Sequence, residues 1–273
     1  MNHPPEPPSK LGLLKWTKKI LRQYGIRPRK KLSQSFIVDP QLINEILGWL
    51  NQIKPRKIYE IGAGIGTLTY YLCTRGNWKV IALEIDQRLA PILKFIKSCV
   101  QGDLEVIICD GLEPPLAKGY VDTVVSNIPY HISSKILITL YKNPAKYFLL
   151  TLQDEVARRL NAEPSSKDYG RLTIITQYIV ECKLGGIYSP NSFFPPPKVF
   201  SRTVLLIKRR AFDSTALKLE VLTRCLFTER NKLAAKVMRK CLRKVDEELI
   251  KRFGSKRVRD LTLEDLLLLT QYM

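Results

Sequence analysis

The stretch IYEIGAGIGTLT, residues 58–69, places three glycines at alternate positions directly after a short apolar run. The run is typical of a buried strand, and a helix is expected to begin near Thr67. Glycine at positions 62, 64 and 66 lets the chain turn tightly and approach a ligand closely. The stretch therefore predicts a strand, a ligand-binding turn and a helix, which is the first unit of an α/β fold.

Four further apolar runs follow at intervals long enough for a helix. Together with the first they read KIYEIG, KVIALEI, LEVIICD, VDTVVSN and KYFLLTLQ (57–62, 79–85, 104–110, 121–127 and 146–153). Short β-branched runs at this spacing indicate βαβ units and a parallel sheet. A helix from Pro40 to Leu50, capped by Asp39, is expected to lead into it. TQYIVECKL (176–184) and SRTVLLIKR (201–209) are expected to pair antiparallel at the edge, because the loop between them is too short for a crossover helix.

The expected domain organisation follows from changes in composition and in the pattern of apolar residues along the chain. Residues 1–31 are expected to form a basic N-terminal arm, whose Pro-rich first nine residues are disordered and whose remainder holds nine basic residues and no acidic one. Residues 32–210 are expected to form a Rossmann-like domain. The pattern after Arg210 is wholly helical, so residues 211–273 are predicted to form a small all-helical domain.

Charge and composition restrict the classes of function. Lys plus Arg number 45 against 25 acidic residues, a formal charge of +20, which indicates a polyanionic partner, although solubility alone is an alternative. Two histidines, and six cysteines without a C-x-x-C pair, argue against a Ser-His-Asp hydrolase and a metal site. No apolar stretch is long enough to span a membrane. We expect a cytoplasmic monomer with reduced thiols and no metal.

Acidic residues stand in or after the first three strands. Glu84 ends the second run, where a carboxylate can accept hydrogen bonds from both hydroxyls of a ribose, and Asp110 ends the third, where it can accept from an adenine amino group. Either acid alone would more often cap a helix or a turn. The spacing G-x-G-x-G is that of S-adenosylmethionine (SAM) sites, whereas dinucleotide sites have G-x-G-x-x-G. We therefore predict a SAM site that includes Glu60, Gly62 and Gly64 as well as these two acids.

The segment SNIPYHIS, residues 126–133, follows the fourth strand and so adjoins that site. The exocyclic amine of adenine is a poor nucleophile, because its lone pair is delocalised into the ring. The side-chain oxygen of Asn127 and the carbonyl of Ile128 can hold its two N–H groups so that the nitrogen becomes tetrahedral and its lone pair faces a methyl group. Pro129 stiffens the turn, and Tyr130 offers a ring on which a flipped base can stack. A capped turn without catalysis is the alternative for this segment taken alone.

These segments belong to a longer ordered series. In chain order the series is LSQSFIVDP, EIGAGIG, LEID, CDG, NIPYHIS, LQDEVARRL, KDYGRLTIITQY, SFFPPPKVFSRTV and FTERNK. On this series the chain resembles, from about residue 30 to residue 244, the rRNA adenine N6-dimethyltransferases of small-subunit ribosome biogenesis, which are related to the erythromycin-resistance methyltransferases. Nine ordered segments are more specific than the glycine loop or NIPY alone.

The resemblance implies an enzyme that uses SAM to dimethylate N6 of two adjacent adenines near the 3′ end of small-subunit rRNA, with the precursor 30S particle as partner. It implies that the cofactor positions include Gly62, Glu84, Asp110 and Asn127. It also places Asn127 and Tyr130 at the amine-holding and stacking positions. Phe193, in SFFPPP, matches an aromatic residue that closes on the other face of the base, and a hydrophobic anchor before a rigid turn is the alternative.

One position departs from the family. The family usually has Gln-Asn-Phe-Leu where this chain has Gln34-Ser35-Phe36-Ile37. The family's Asn would contact the methionine end of the cofactor, and Ser35 is shorter, while Ile37 keeps the apolar character. Ser35 and Ile37 are retained as cofactor-binding candidates.

The stretch FTERNKLAAKVMRKCLRK, residues 227–244, is expected to form an amphipathic helix with one cationic face. The cations of that face are Lys232, Lys236, Arg239 and Arg243. Residues 208–260 hold 17 basic and 7 acidic side chains, which supply +10 of the +20 charge. The face is predicted to bind rRNA, and a membrane surface is the alternative.

Other functions stay open at this point. A chain of this fold could bind RNA as an assembly or transcription factor without catalysis, which the intact glycine loop and NIPY disfavour. A large-subunit rRNA methyltransferase would share the adenine chemistry, and the position of the methylated base would separate the two. A nicotinamide dehydrogenase would leave the basic face unexplained.

Overall fold

The computed structural model describes residues 3–113, 122–129 and 133–273. Its helices are α1 (Lys10–Gln23), α2 (Pro40–Ile53), α3 (Thr67–Arg75), α4 (Ala90–Cys99), α5 (Ser133–Lys142), α6 (Asp154–Leu160), α7 (Arg171–Ile179), α8 (Ser214–Leu226), α9 (Ala234–Cys241), α10 (Glu247–Phe253) and α11 (Leu263–Leu269). Its strands are β1 (Phe36–Ile37), β2 (Lys57–Ile61), β3 (Lys79–Glu84), β4 (Leu104–Ile108), β5 (Thr123–Asn127), β6 (Tyr147–Gln153), β7 (Val180–Tyr188), β8 (Phe193–Phe194) and β9 (Ser201–Lys208).

These elements divide into two compact units. The sheet unit comprises Met1–Asp154 and Lys183–Ile207, and the helical unit comprises Glu155–Cys182 and Lys208–Met273. Residues 155–182 thus pack with the C-terminal helices, whereas the sequence pattern placed them in the first domain. The predicted domain limits near residues 31 and 210 stay predictions.

A seven-stranded sheet with the order β4-β3-β2-β5-β6-β9-β7 forms the centre of the sheet unit. Strands β2 to β6 pair in parallel and β9 runs antiparallel to β6, so the predicted parallel sheet is confirmed. From β2 the chain moves outward to β3 and β4 and then returns to place β5 on the other side of β2. Such a switch point opens a crevice beyond the carboxyl ends of the strands, where α/β sheets bind ligands.

The edge of the sheet differs in one respect from the expectation. In the sheet, β9 lies between β6 and β7. The first four residues of TQYIVECKL belong to the end of helix α7, however, and strand β7 begins only at Val180. The helix starts after Gly170, whose N–H donates to Thr173 Oγ1 over 3.1 Å. Its burial of apolar side chains such as Ile174 and Ile175 outweighs the β-branched composition of the stretch.

One face of the sheet packs against helices α1 to α4. Alternate strand residues such as Ile58, Val80 and Val125 join a single buried cluster with side chains of these helices. The predicted cap of α2 is confirmed, because Asp39 Oδ1 accepts a hydrogen bond from the Gln41 N–H over 2.9 Å.

The chain before α1 is packed on the sheet unit, and the expectation of disorder was wrong for residues 3–9. Tyr71 donates its hydroxyl hydrogen to the carbonyl of Pro5 over 2.5 Å, and Arg75 pairs with Glu6 over 2.5 Å. The ring of His3 stacks on Tyr70 with 5.5 Å between centroids. Residues 3–6 contact α3 through polar and aromatic side chains that are far apart in sequence. A local sequence pattern does not predict such contacts.

The helical unit is held by its own core and by one disulfide. Leu222, Phe253 and Leu266 are wholly buried. A disulfide joins Cys225 of α8 to Cys241 of α9, whose Cα atoms lie 5.8 Å apart, so the expectation of reduced thiols was wrong for this pair. In the part of the chain that the structure describes, no helix is long and apolar enough to cross a membrane.

Candidate functional site

A cavity of about 220 Å³ opens at the carboxyl ends of β2, β3 and β5. Its lining is Lys31, Leu32, Ser33, Gln34, Ser35, Phe36, Ile61, Gly62, Gly64, Leu83, Glu84, Ile85, Asp110, Gly111, Leu112, Ser126, Asn127, Pro129, Ile136 and Leu140. A smaller space of about 40 Å³ adjoins it, shares Ser35, Gly62 and Asn127 with it, and adds Ile37 and Glu60. The structure thus brings all the predicted cofactor-binding residues together at the switch point of the sheet.

The glycine loop forms the floor of both spaces. Gly62, Gly64 and Gly66 have φ angles of 77°, 61° and 77°, a conformation that side chains with a Cβ rarely adopt. A Cβ on Gly64 would in addition lie 3.0 Å from the ring of Phe36. The loop therefore needs glycine both for its backbone conformation and for the close approach of Phe36.

Glu84 ties the loop to the end of β3. Its Oε2 accepts from the Gly64 N–H over 2.7 Å and its Oε1 from the Asp86 N–H over 2.9 Å. Burial raises the pKa of this carboxyl, and the two backbone N–H groups oppose that shift by favouring the ionised form. Each oxygen keeps a further lone pair, so the carboxylate can still accept from ligand hydroxyls. Asp110 lies at the end of the same cavity, with its Oδ1 accepting from the Leu112 N–H over 3.0 Å.

Glu60 lines the smaller space and is almost wholly buried. Burial raises its pKa to about 8, the hydrogen bond from Thr69 Oγ1 opposes this, and the nearby Glu84 carboxylate adds to it. The distance from Thr69 Oγ1 to Glu60 Oε2 is 2.5 Å. The raised pKa favours the protonated acid, which can donate a hydrogen bond as well as accept one.

Asn127 ends β5 on the boundary of both spaces. Its Nδ2 donates to the carbonyl oxygen of Ser35 over 2.9 Å. Its Oδ1 is buried and accepts no hydrogen bond from the described residues. Because the Ser35 carbonyl can only accept, the amide nitrogen must face it and the free oxygen is left as an acceptor at the cavity. Pro129 also lines the larger cavity, whereas Tyr130 lies outside the described residues.

The segment that carries Ser35 is joined to the SFFPPP segment. Ser35 Oγ donates to the carbonyl of Pro195 over 2.6 Å, and β1 pairs antiparallel with β8, with Ile37 opposite Phe193. Phe193 is 2% exposed and does not line the described cavities. The next ring, Phe194, is partly exposed.

The sequence pattern did not predict a hydrogen-bond network that fixes Gln34, a residue of the cavity lining. Gln34 Nε2 donates to Asp86 Oδ2 over 2.8 Å, and Arg88 grips the same carboxylate with two bonds of 2.9 and 2.6 Å. The hydrogen bonds from Arg88 lower the pKa of Asp86 to about 2. Asp86 stands in the quoted motif LEID, but its link to Gln34 crosses 52 residues and has no local signal.

Two further lining residues were also missed. Ile85 is 53% exposed and lines the larger cavity, where it offers an apolar surface for a flat ring. Thr67 Oγ1 is buried in the lining of the smaller space and has no partner among the described residues, so it is available to a ligand. Ile85 could have been identified from the sequence as an apolar residue directly after Glu84, the acid that ends β3.

The predicted RNA-binding cations lie in the helical unit on a shorter helix than expected. Helix α9 covers only Ala234–Cys241, so the prediction of a continuous helix over residues 227–244 was wrong. The backbone is non-helical at Leu233 and extended at Leu242, which leaves Lys232 before the helix and Arg243 after it. Lys236 and Arg239 are exposed on α9. Lys232 pairs with Glu229 over 2.5 Å, and Lys240 pairs with the same carboxylate over 2.5 Å.

Comparison with known proteins agrees with this architecture. The model of the ribosomal RNA adenine dimethylase family matches residues 25–273. The chain is similar to the ribosomal RNA small subunit methyltransferase A of Ehrlichia ruminantium, with 35% identity over 83% of this chain and 88% of that protein. It is equally similar to a probable ribosomal RNA small subunit methyltransferase A of Methanosphaera stadtmanae, with 35% identity over 93% of each. The crystal structure of a dimethyladenosine transferase from Plasmodium falciparum matches with a TM-score of 0.69 and 25% identity, over 86% of this chain and 95% of that one.

The sheet order, the glycine loop and the strand-end acids together define a Rossmann-like methyltransferase, as predicted. Within that class the chain belongs to the ribosomal RNA adenine dimethylase family. The matched range begins at residue 25, so helix α1 lies before it.

Proposed function

We propose that this chain transfers methyl groups from SAM to N6 of two adjacent adenines near the 3′ end of small-subunit rRNA, giving N6,N6-dimethyladenosine during ribosome biogenesis. Membership of the adenine dimethylase family supports the dimethylation of adenine. The names of the two relatives support small-subunit rRNA as the substrate. The precursor 30S particle is the proposed partner, and a cytoplasmic monomer the proposed form.

The observation that carries the proposal is the buried Oδ1 of Asn127, which has no hydrogen-bond partner among the described residues. An unpaired buried oxygen is costly, so its retention at a cavity is best explained by a ligand that donates to it. An adenine amine has two N–H groups, and Oδ1 with the Ile128 carbonyl would hold both. That geometry strengthens as the nitrogen becomes tetrahedral, which lowers the barrier to transfer.

The cavity residues fit the proposed cofactor. Glu84 would accept from the ribose hydroxyls and Asp110 from the adenine amino group, with the exposed side chain of Ile85 against the ring. The methionine end would lie towards the smaller space, near Glu60 and the segment of Ser35 and Ile37. SAM would supply an activated methyl group on a sulfonium, and the methylated amine would release its surplus proton to water, so the transfer needs no metal and no general base.

The base would stack on Tyr130, whose position lies outside the described residues. Phe193, the proposed second stacking surface, is covered in this structure, so its ring would have to become accessible when the base binds. RNA outside the site is proposed to contact the exposed cations of α9 and its flanks. Those residues are Lys232, Lys236, Arg239 and Arg243.

The direct test is nucleoside mass spectrometry after the protein is incubated with SAM and undermethylated 30S particles. We expect N6,N6-dimethyladenosine at two adjacent positions of the small-subunit rRNA. Asn127→Ala should abolish this product and leave SAM and RNA binding largely in place, whereas Asn51→Ala, on the exposed side of α2, should not affect it. Binding without any methylated adenosine would indicate a non-catalytic assembly factor, and methylation of large-subunit rRNA alone would place the target elsewhere.

A further inference from the structure

The outward face of α1 carries a concentration of positive charge. Its exposed cations are Lys10, Lys15, Lys18, Lys19 and Arg22. Four more exposed cations follow in the segment that leads to the cavity: Arg27, Arg29, Lys30 and Lys31. No acidic residue occurs between Glu6 and Asp39, so nothing within this part of the sequence neutralises the charge.

Helix α1 is fixed on the sheet unit, and its outward face therefore has a defined position. Its inner side buries Leu13, Trp16, Thr17, Ile20 and Leu21. Ser9 caps its first turn, with the Ser9 hydroxyl oxygen accepting from the Gly12 N–H over 3.2 Å. The preceding residues are anchored on α3 through Tyr71 and Arg75. Binding to this face would order little additional chain, which favours affinity.

Most of these cations have no acidic partner among the residues that the structure describes. Lys10 lies 3.8 Å from Asp39, and Arg29 lies 3.8 Å from Asp86. Across residues 3–113, 122–129 and 133–273, no acidic side chain forms an ion pair with Lys15, Lys19 or Arg22. These three side chains are exposed and available to an anion.

The charged face is connected to the candidate site at two points. Lys18 Nζ lies 5.4 Å from the centroid of the Phe194 ring, which pairs across β1 and β8 with Phe36. At the other end, Lys31 lines the 220 Å³ cavity itself. An anionic chain that follows the cations from α1 to Lys31 is thereby led to the cavity that holds Asn127.

We propose that α1 and the segment Arg27–Lys31 bind phosphates of the RNA strand that carries the target adenines, and so deliver that strand to the cavity. The inference rests on the proposed function for the identity of the strand. It concerns a helix that lies before the range matched by the family model. A series of cations on a rigid surface is what a phosphate backbone requires, and it carries no sequence information.

The distribution of apolar residues favours RNA over a membrane surface. A helix that lies on a membrane turns its apolar face to the lipid. On α1 that face is already buried against the sheet unit, and Leu11, 62% exposed, is the large apolar side chain of this helix that remains strongly exposed.

The test compares two triple variants by their affinity for an unmethylated transcript of the 3′-terminal part of small-subunit rRNA. Lys15→Gln, Lys19→Gln and Arg22→Gln remove three charges from α1 and keep good helix formers. The control, Lys94→Gln, Lys97→Gln and Lys218→Gln, removes the same charge from exposed positions on α4 and α8. Fluorescence anisotropy at a series of salt concentrations gives Kd and its salt dependence, without SAM and without methyl transfer.

We expect the α1 variant to bind the transcript about 10- to 100-fold more weakly at about 0.1 M salt, with a salt slope smaller by about 2, since each phosphate contact on a single strand contributes about 0.7. The control should change the slope by less than about 0.5, and both variants should keep the SAM affinity of the wild type. Equal losses in the two variants, or none in either, would overturn the proposal. So would loss of binding to phosphatidylserine vesicles with unchanged RNA binding. Asn127→Ala should keep the wild-type slope, so failure of methyl transfer and failure of this surface give different results.

Discussion

The side-chain nitrogen of Asn127 donates to the backbone carbonyl of Ser35, 2.9 Å away, across 92 residues of sequence. This bond decides which end of the amide faces the cavity, because the carbonyl cannot donate in return. The Oδ1 atom, which no described residue contacts through a hydrogen bond, is thus oriented before any ligand arrives. An acceptor that is already aligned needs no reorganisation during the reaction, which is how fixed dipoles lower a barrier.

Asn127→Asp should separate orientation from the mere presence of an acceptor. The aspartate keeps two acceptor oxygens but cannot donate, so one oxygen would oppose the Ser35 carbonyl. We expect the rate of methyl transfer in a single turnover to fall by about 10²- to 10³-fold, the usual effect of losing one aligned polar group. A rate within a few-fold of wild type would show that the bond to Ser35 is not needed.

Ser35→Ala should loosen the join between its segment and Pro195. The lost hydroxyl leaves the Pro195 carbonyl without that donor, at a cost of about 1 kcal/mol in the free energy of unfolding. We expect a several-fold fall in kcat, because the Ser35 carbonyl that accepts from Asn127 is held less firmly when its segment is no longer bonded to Pro195. Ser35→Thr, which keeps the hydroxyl, should recover the wild-type kcat. Ser98→Ala, which removes a comparable bond of 2.7 Å to the Phe95 carbonyl on α4, should leave kcat unchanged. Equal effects of the two alanine variants on kcat would contradict a positioning role for Ser35.

Glu60 should make the stability of the protein fall as the pH rises. Its pKa is about 8 in the folded chain against an ordinary value of 4.5, so between these values the native state holds a proton that the unfolded chain has released. The free energy of unfolding therefore decreases as the pH rises through this window. Because each pKa unit is worth about 1.4 kcal/mol, the total is on the order of a few kcal/mol.

Glu60→Gln mimics the protonated acid and should remove this dependence. Chemical denaturation at about pH 5 and about pH 9 should show the variant gaining stability over wild type at the higher pH. Glu163→Gln, at an exposed position, serves as the control. A constant difference between wild type and Glu60→Gln across this range would mean that Glu60 is ionised throughout.

The Cys225–Cys241 disulfide should stabilise the helical unit. It closes a loop of 16 residues, for which chain entropy predicts about 3 kcal/mol. Calorimetry should show a lower Tm for wild type when a reductant is added. Cys225→Ser with Cys241→Ser should show the lower Tm with or without reductant. A wild-type Tm that reductant does not change would contradict this role.

The sequence predicted what depends on local pattern. The parallel strands and the Asp39 cap follow from periodicity and from a capping preference that act within a few residues. The glycine loop and the acids at strand ends were predicted because the ends of parallel strands converge by geometry. The position of Glu84 beside Gly64 is an example of that convergence.

What could not be predicted depends on partners distant in sequence. The bond from Ser35 to Pro195 spans 160 residues, and neither residue type announces it. The pairing of Cys225 with Cys241 joins residues of two different helices. Helix α9 ends at Cys241 although neither Gly nor Pro occurs in residues 242–246. In these places tertiary packing overrides local preference.

The pairing of β1 with β8 also sets the order in which a newly made chain can become active. Phe36 emerges early in translation, but its partner Phe194 follows only after some 158 further residues. At a synthesis rate of about 5 to 20 residues per second, β8 is made on the order of ten seconds or more after β1. Until then Phe36, which lines the cavity together with the glycine loop, lacks its strand partner. A nascent chain truncated before residue 194 would therefore have an incomplete binding cavity.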